Sequence, residues 1–251
     1  MLADIKLSKI VAIAKEAGDA IMEIYEKDFS IEYKADDSPL TEADTKANAI
    51  ICTTLADLYP NIPILSEENK EVPYDERKGW EYYWCIDPID GTKEFIKKNG
   101  EFTVNIALID KNKPVLGVVY APAIEELYQA KKGEGAFKNG VKLPLQHNET
   151  PQDYLRVVAS KSHLSVETQA FIDALPTKKI EQISKGSSLK LCMVATGEAD
   201  IYPRLAPTME WDTAAADAIV REAGKMTREF ESNKPLQYNK INLLNPWFVV
   251  E

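Results

Sequence analysis

The chain carries the stretch Trp84-Cys85-Ile86-Asp87-Pro88-Ile89-Asp90-Gly91-Thr92 at residues 84–92. Its apolar start predicts a buried strand, and the two aspartates follow three residues apart on a turn stiffened by proline. Carboxylates placed so close together repel each other unless a cation lies between them, and Mg²⁺ prefers oxygen ligands that it shares with waters and substrate phosphate. The alternative is a plain turn, in which Asp caps the chain and Pro and Gly bend it.

The composition is that of an ordinary soluble protein and argues against several classes of partner. The 251 residues, 45% hydrophobic and 28% charged, suffice for one large domain or two small ones. A net charge of -10 without a basic block argues against polymeric nucleic acid and an anionic membrane surface as main partners. Three widely spaced cysteines favour the reducing cytoplasm, and the sequence contains no apolar run of transmembrane length. Oligomeric state and peripheral association with the inner membrane stay open.

Hydrophobic periodicity predicts an α+β arrangement in the first part of the chain. Apolar residues at helical spacing predict one helix over 7–25 and a second from about 41–44 to 58, where Pro60 ends it. Asn139-Gly140 predicts a tight hairpin. The predicted strands are 62–65, 82–86, 102–109, 115–121 and 126–130.

Strands and helices alternate after residue 154, which favours an α/β arrangement. We therefore expect an N-terminal part at 1–150 with most of the acidic site and a C-terminal part at 151–251. The predicted elements of this second part are strands at 155–159, 180–184 and 199–202 and helices at 167–174, 188–195 and 212–223, the last stopped by Gly224.

Four acidic residues lie at element ends, where chemistry commonly takes place. Glu67 and Asp87 each follow a predicted strand, Asp90 lies on the turn, and Asp212 opens a predicted helix after Trp211. Taken singly, each has a structural interpretation: Asp212 suits a helix start, and Glu67 a solvated loop. Their joint occurrence in this order is what favours a metal site.

The same motifs resemble a known family. Glu67-Glu68, the stretch at 87–92 and Trp211-Asp212 together are similar to the lithium-sensitive inositol monophosphatase superfamily. Residues 91–96, 100–105 and 186–190 resemble its CysQ-type 3′(2′),5′-bisphosphate nucleotidases. The resemblance implies a layered αβαβα sandwich with mixed and antiparallel sheets, and hydrolysis of 3′-phosphoadenosine 5′-phosphate to AMP and phosphate, a step linked to sulfur assimilation.

The resemblance also implies how the acidic residues act. Two or three Mg²⁺ ions would bind, with Asp87 bridging two of them, Asp90 and Asp212 holding the second, and Glu67 the first. Thr92, supported by Asp44, would orient the attacking water, so that the catalytic residues are Asp44, Glu67 and Thr92. Two divalent ions about 4 Å apart can clamp both reacting oxygens of a displacement without a histidine base. The implied metal ligands are Glu67, Asp87, the carbonyl of Ile89, Asp90 and Asp212.

A bisphosphate substrate needs contacts beyond the metal ions, and the resemblance implies these too. His163, Ser187, Lys190 and Arg204 would contact the nucleotide or its second phosphate, because hydroxyls and cationic side chains are suitable phosphate partners. Each also has a structural reading: Lys190 as a solvated helix lysine, Arg204 as a loop ion pair, and His163 as a helix cap. The implied substrate contacts at the reacting end are Glu67, Ile89, Asp90, Gly91, Thr92 and Asp212.

Two alternative functions stay open at this stage. The same acidic centre would serve a phosphatase for inositol or sugar phosphates, which a panel of phosphate esters distinguishes. A metal or nucleotide sensor without activity is a third reading, although every catalytic position of the motif set is filled. The sequence does not decide between the bisphosphate nucleotide and its sulfated relative.

Overall fold

The computed structural model describes residues 2–27, 31–33, 39–145, 154–160, 164–176 and 179–251. Helix boundaries follow the local sequence signals. Thr41 caps the second helix through a capping box with Asp44, and Gly197, in the left-handed region at φ +82°, ends the sixth. Within these ranges the α-helices are α1 (Leu7–Tyr25), α2 (Glu42–Leu58), α3 (Tyr74–Arg77), α4 (Thr92–Ile96), α5 (Val166–Asp173), α6 (Leu189–Thr196) and α7 (Glu210–Glu222).

The strands form one large sheet and several small ones. β3 to β9 lie in chain order in a seven-stranded sheet, where β3 is parallel to β4 and all other neighbours are antiparallel. β10 and β11 pair in parallel, and β14 lies between β12 and β13. The strands are β1 (Ile31–Tyr33), β2 (Pro39–Thr41), β3 (Ile64–Ser66), β4 (Tyr82–Asp90), β5 (Thr103–Asp110), β6 (Lys113–Ala121), β7 (Glu126–Lys131), β8 (Gly135–Lys138), β9 (Val141–Lys142), β10 (Tyr154–Ser160), β11 (Lys179–Lys185), β12 (Tyr202–Arg204), β13 (Thr227–Glu229) and β14 (Phe248–Val250).

Side-chain alternation sends successive residues of β4 to two different helical layers. Trp84 and Ile86 pack in the core formed with α1 and α2. Tyr83 and Cys85 pack in the core formed with α6 and α7. Because strand side chains have a period of two, Asp87 continues the second series and faces α6 and α7.

A second set of strands and α5 complete the layers. Val158 of β10 belongs to the core that contains α6 and α7, whereas its neighbours Val157 and Ala159 pack with Ile172 of α5. The order of layers is therefore α1 and α2, the large sheet, α6 and α7, the small sheets, and α5. This is the predicted αβαβα sandwich with mixed and antiparallel sheets.

Helix α7 packs unusually close to the large sheet, because small residues face each other there. A Cβ placed on Gly117 of β6 would lie 2.1 Å from the carbonyl oxygen of Ala215 and 2.9 Å from the Cβ of Ala218. Only glycine permits this approach. The position of α7, which carries Asp212, is thus fixed by direct contact with the sheet.

Most predicted elements are present, several with limits that differ by one or two residues, such as β3, which begins at Ile64 rather than at 62. The predicted strand at 82–86 continues to Asp90. The helix predicted from 212 begins at Glu210, so Asp212 is its third residue rather than its first, and the predicted strand at 199–202 is displaced to β12. The Asn139-Gly140 hairpin joins β8 and β9, both turn residues having positive φ. No helix in the described ranges is long and apolar enough to cross a bilayer.

Candidate active site

A β-bulge turns the carboxylates of Asp87 and Asp90 to the same face of the large sheet. Asp87 lies opposite Asn105 and Asp90 opposite Thr103, so three steps along β4 match two along β5. In a regular strand, residues three apart point to opposite faces, and one extra residue cancels that difference. Pro88 suits this position because it has no N–H to contribute to the ladder.

Glu67 reaches the same place from the neighbouring strand. β3 is parallel to β4, and the N–H of Glu67 donates to the Ile86 carbonyl at 3.2 Å. Parallel strands present their carboxyl ends at one edge, and therefore Glu67 arrives beside Asp87.

Asp212 closes the acidic group from the first turn of α7. Its carboxylate accepts the N–H of Met209 at 2.8 Å, which orients the side chain and satisfies a free donor of the helix end. Carboxylate oxygens of Glu67, Asp87 and Asp212 all lie within 4.8 Å of one another. A set of hard oxygen donors at this spacing, from three separate segments, fits a divalent cation such as Mg²⁺.

The electrostatics of the group support the same reading. Burial raises the pKa of Asp87 well above its usual range, and the charges of Glu67, Asp90 and Asp212 raise it further. Burial likewise raises the pKa of Asp212 well above its usual range, with the Asp90 charge adding to it. The pKa of Asp90 is raised by burial too, although Lys190 and Ser188 oppose the shift. Full ionisation of the group therefore requires a compensating positive charge.

Thr92 and Asp44 form a hydrogen-bonded pair beside the acidic group. Asp44 is 1% exposed, and its Oδ2 accepts both the N–H of Thr41 at 2.8 Å and the Thr41 hydroxyl at 2.6 Å. The Thr92 hydroxyl lies 3.3 Å from Asp44 Oδ1 and 3.3 Å from the Ile89 carbonyl, both acceptors. Its hydrogen is therefore directed to the protein, which leaves its lone pairs to accept from a water. Helix α4 begins directly after Gly91, which takes φ +93°.

Cationic and hydroxyl groups line the same cavity as the carboxylates, and the cavity volume is about 280 Å³. Lys190 is only 6% exposed, and its Nζ donates to the Ser187 carbonyl at 2.6 Å. Burial lowers the pKa of Lys190 to about 8, against the opposing influence of Asp90. The hydroxyl of Ser187 and Nε of Arg204 are buried and have no hydrogen-bond partner within the described part of the chain. Buried donors without partners, lining a cavity, are suited to a bound ligand.

The cavity brings together most residues that the sequence predicts for the site. Asp44 lies behind Thr92 and contacts it, and the reading of Lys190 as a solvated helix lysine is wrong, since the side chain is buried. Arg204 donates to the Pro207 carbonyl at 2.8 Å and forms no described ion pair. His163 lies outside the described residues. The predicted residues that line the cavity are Glu67, Asp87, Ile89, Asp90, Gly91, Thr92, Ser187, Lys190, Arg204 and Asp212.

Two site residues were not predicted. Ser188 hydrogen-bonds to Asp90 at 2.8 Å, and Asn105 donates to Ser188 at 2.8 Å. Both belong to segments that resemble the nucleotidases, 186–190 and 100–105. Because their side chains are polar but uncharged, the sequence alone assigns neither residue a role in metal or phosphate binding.

Comparisons with known proteins agree with this geometry. The model of the inositol monophosphatase family matches residues 6–246. The 3′(2′),5′-bisphosphate nucleotidase CysQ of Escherichia coli K12 is 45% identical over 249 residues, which cover 97% of this chain and 98% of the relative. The nucleotidase of the same name from Haemophilus influenzae is 37% identical, covering 97% of this chain and 91% of the relative.

Solved structures show the same fold. CysQ from Bacteroides thetaiotaomicron, described as a bacterial member of the inositol monophosphatase family, has a TM-score of 0.87 and 46% identity, with 98% of this chain and 97% of that chain covered. An IMPase from Thermotoga maritima has a TM-score of 0.78 and 25% identity, with 98% and 91% covered.

Proposed function

Since this chain belongs to the inositol monophosphatase family, we propose that it hydrolyses 3′-phosphoadenosine 5′-phosphate to AMP and phosphate. The curated relatives that share 45% of its residues over nearly the full length are bisphosphate nucleotidases. In the reaction a water attacks phosphorus, and the bond from phosphorus to the ribose oxygen breaks.

Two or three Mg²⁺ ions are proposed as the cofactor. Glu67, Asp87, Asp90 and Asp212, with the carbonyl of Ile89, would hold them. When bound, the metal would supply the positive charge that stabilises the reacting phosphate and its leaving oxygen. The compact set of carboxylate oxygens supports this assignment.

Thr92 and Asp44 are proposed to orient the attacking water. Asp44 is fixed by two hydrogen bonds from Thr41, and it accepts from Thr92 through its other oxygen. A hydroxyl held in this way presents a lone pair in a constant direction. A water that donates one hydrogen to that lone pair is turned with its own lone pair toward phosphorus. Glu67 would hold the water from the other side.

The specificity for a bisphosphate rests on the cationic and hydroxyl side chains of the cavity. One observation carries the proposal: a single cavity is lined both by the carboxylates and by Ser187, Lys190 and Arg204, and within the described residues a buried donor atom of Ser187 and one of Arg204 lack a hydrogen-bond partner. An ester with one phosphate would leave these side chains without a second phosphate to bind. We include His163 among the proposed nucleotide contacts.

We keep the proposed division of the chain into 1–150 and 151–251, in which the second part supplies Asp212 and the nucleotide contacts. We also propose that the protein acts in the reducing cytoplasm, in sulfur assimilation, since its described cysteines are free.

The test is a panel of phosphate esters at matched concentration, assayed for phosphate release with Mg²⁺, with chelator and with lithium. The panel contains 3′-phosphoadenosine 5′-phosphate, its sulfated relative, AMP and inositol 1-phosphate. We expect Mg²⁺-dependent release that is fastest, by kcat/KM, with the bisphosphate, and no turnover in Asp90→Asn. A higher kcat/KM for inositol 1-phosphate would instead make the chain an inositol phosphatase. Binding of the nucleotide without any phosphate release would make it a sensor.

Lys190→Met tests the specificity argument. A hydrogen bond to a charged group contributes about 1.5–3 kcal/mol, so kcat/KM for the bisphosphate should fall about 10–150-fold. The kcat/KM for inositol 1-phosphate should fall less, because that substrate has no second phosphate and is affected only through the influence of Lys190 on Asp90. Lys113→Met, at the exposed far end of β6, is the matched control and should leave both values unchanged.

A further inference from the structure

Ser188 connects the two segments that carry Asp90 and Asp212. Its hydroxyl oxygen lies 2.8 Å from Asp90 Oδ2 at the end of β4 and 2.6 Å from the backbone carbonyl oxygen of Asp212 in α7. The residue itself is 1% exposed and directly precedes α6. One atom therefore contacts a carboxylate of the large sheet and the backbone of the helix packed against that sheet.

Asn105 donates a hydrogen bond to this hydroxyl. The Ser188 hydroxyl faces Asp90 and the Asp212 carbonyl, which both only accept, so its single hydrogen is used there and the hydroxyl accepts from Asn105. The amide atom of Asn105 at 2.8 Å from Ser188 is therefore the nitrogen, and the other amide atom, Oδ1, accepts from the Thr103 hydroxyl at 3.0 Å. Thr103, Asn105 and Ser188 are all buried, and water does not compete with these bonds.

We propose that Ser188 and Asn105 are positioning residues, which hold the Asp90 carboxylate at a constant distance from α7 and so set the affinity of the metal site formed by Asp90 and Asp212. The inference rests on the proposed function for the identity of the metal. Groups that hydrogen-bond to metal ligands orient those ligands, and their removal commonly costs about 10–100-fold in metal affinity. Neither residue needs to touch metal or substrate for this effect.

The experiment measures metal binding directly on the full chain, with Mn²⁺ as the probe, by isothermal titration calorimetry. We expect Ser188→Ala to weaken one class of Mn²⁺ sites by about 10–100-fold, and Asn105→Ala to do the same. The double variant should be little worse than either single one, because the two residues act through one hydrogen-bonded chain. In the phosphate assay, the Mg²⁺ concentration for half-maximal rate should rise by a similar factor, while kcat at saturating Mg²⁺ recovers to within about threefold.

Thr196→Val is the matched control, because it removes another buried hydroxyl at the opposite end of α6. It should leave Mn²⁺ affinity unchanged. Wild-type Mn²⁺ affinity in a folded Ser188→Ala variant would overturn the inference, as would a fall in kcat that saturating Mg²⁺ does not restore. Metal binding without hydrolysis of the bisphosphate by the wild type would overturn the proposed function instead and leave the positioning role standing.

Discussion

Replacing Gly117 by alanine should damage the active site although Gly117 lies outside it. The added Cβ would lie 2.1 Å from the Ala215 carbonyl oxygen and 2.9 Å from the Cβ of Ala218. Ordinary contacts between such atoms are roughly 3.5 Å, so α7 has to move away from the sheet by about 1.4 Å. Asp212 lies one turn before Ala215 on this helix and moves with it.

The size of the effect follows from this displacement. Overpacking a tight core costs about 1–3 kcal/mol, which for a chain of this length lowers Tm by roughly 2–12 °C. A misplacement of about 1 Å in a reacting site can cost about 10²-fold in rate. We therefore expect Gly117→Ala to lose both stability and turnover, with the larger proportional loss in kcat.

Urea unfolding and Mg²⁺-dependent phosphate release measure the two effects. Gly79→Ala is the control, since a Cβ on that exposed glycine meets nothing within 4 Å. It should match the wild type in both assays. If Gly117→Ala kept the wild-type unfolding midpoint and kcat, the close packing of α7 on β6 would not be what positions Asp212.

Three further outcomes follow from the site. In metal-free protein, Asp87→Asn should raise Tm at pH 7.5. The pKa of Asp87 is raised in the folded state, so its ionisation increasingly destabilises the fold as pH rises above about 4. Added Mg²⁺ should no longer raise the Tm of this variant. Thr92→Val should lower kcat about 10²–10⁴-fold with little change in KM for the bisphosphate, whereas equal losses in both would contradict its role toward water. Because the pKa of Lys190 is about 8, kcat/KM for the bisphosphate should fall by up to about tenfold per pH unit above that value, and Lys190→Arg should remove the decline.

Features with a strong local signal could be predicted from the sequence. The first helix is present at the predicted residues 7–25, because its apolar face repeats at helical spacing. Asn139-Gly140 forms the predicted hairpin, because few other residues adopt positive φ so readily. The sequence predicts Glu67, Asp87, Asp90 and Asp212 as a group, since carboxylates at element ends indicate a metal site, and the oxygens of Glu67, Asp87 and Asp212 do converge.

The features that depend on tertiary packing could not be predicted. Helix α7 begins two residues before the predicted start at 212, because Met209 is not a residue that usually caps a helix. The burial of Lys190 could not be predicted, because its neighbours along the chain do not indicate which layer covers it, and a solvated helix lysine stayed open beside its role as a substrate contact. The Asn105–Ser188 contact joins residues 83 apart in sequence, and neither side chain is charged.

The bulge at the end of β4 has a consequence for how this segment can change during evolution. Deleting one residue between Asp87 and Asp90 would restore a regular ladder with β5, but it would also shorten the path between the two acids. Substitutions that keep the number of residues are a smaller change, since Ile89 offers its backbone carbonyl to Thr92 and packs its apolar side chain in the core. The length of this segment should therefore be under stronger selection than the identity of Ile89, and a homologue that has gained or lost one residue here should have lost the reaction.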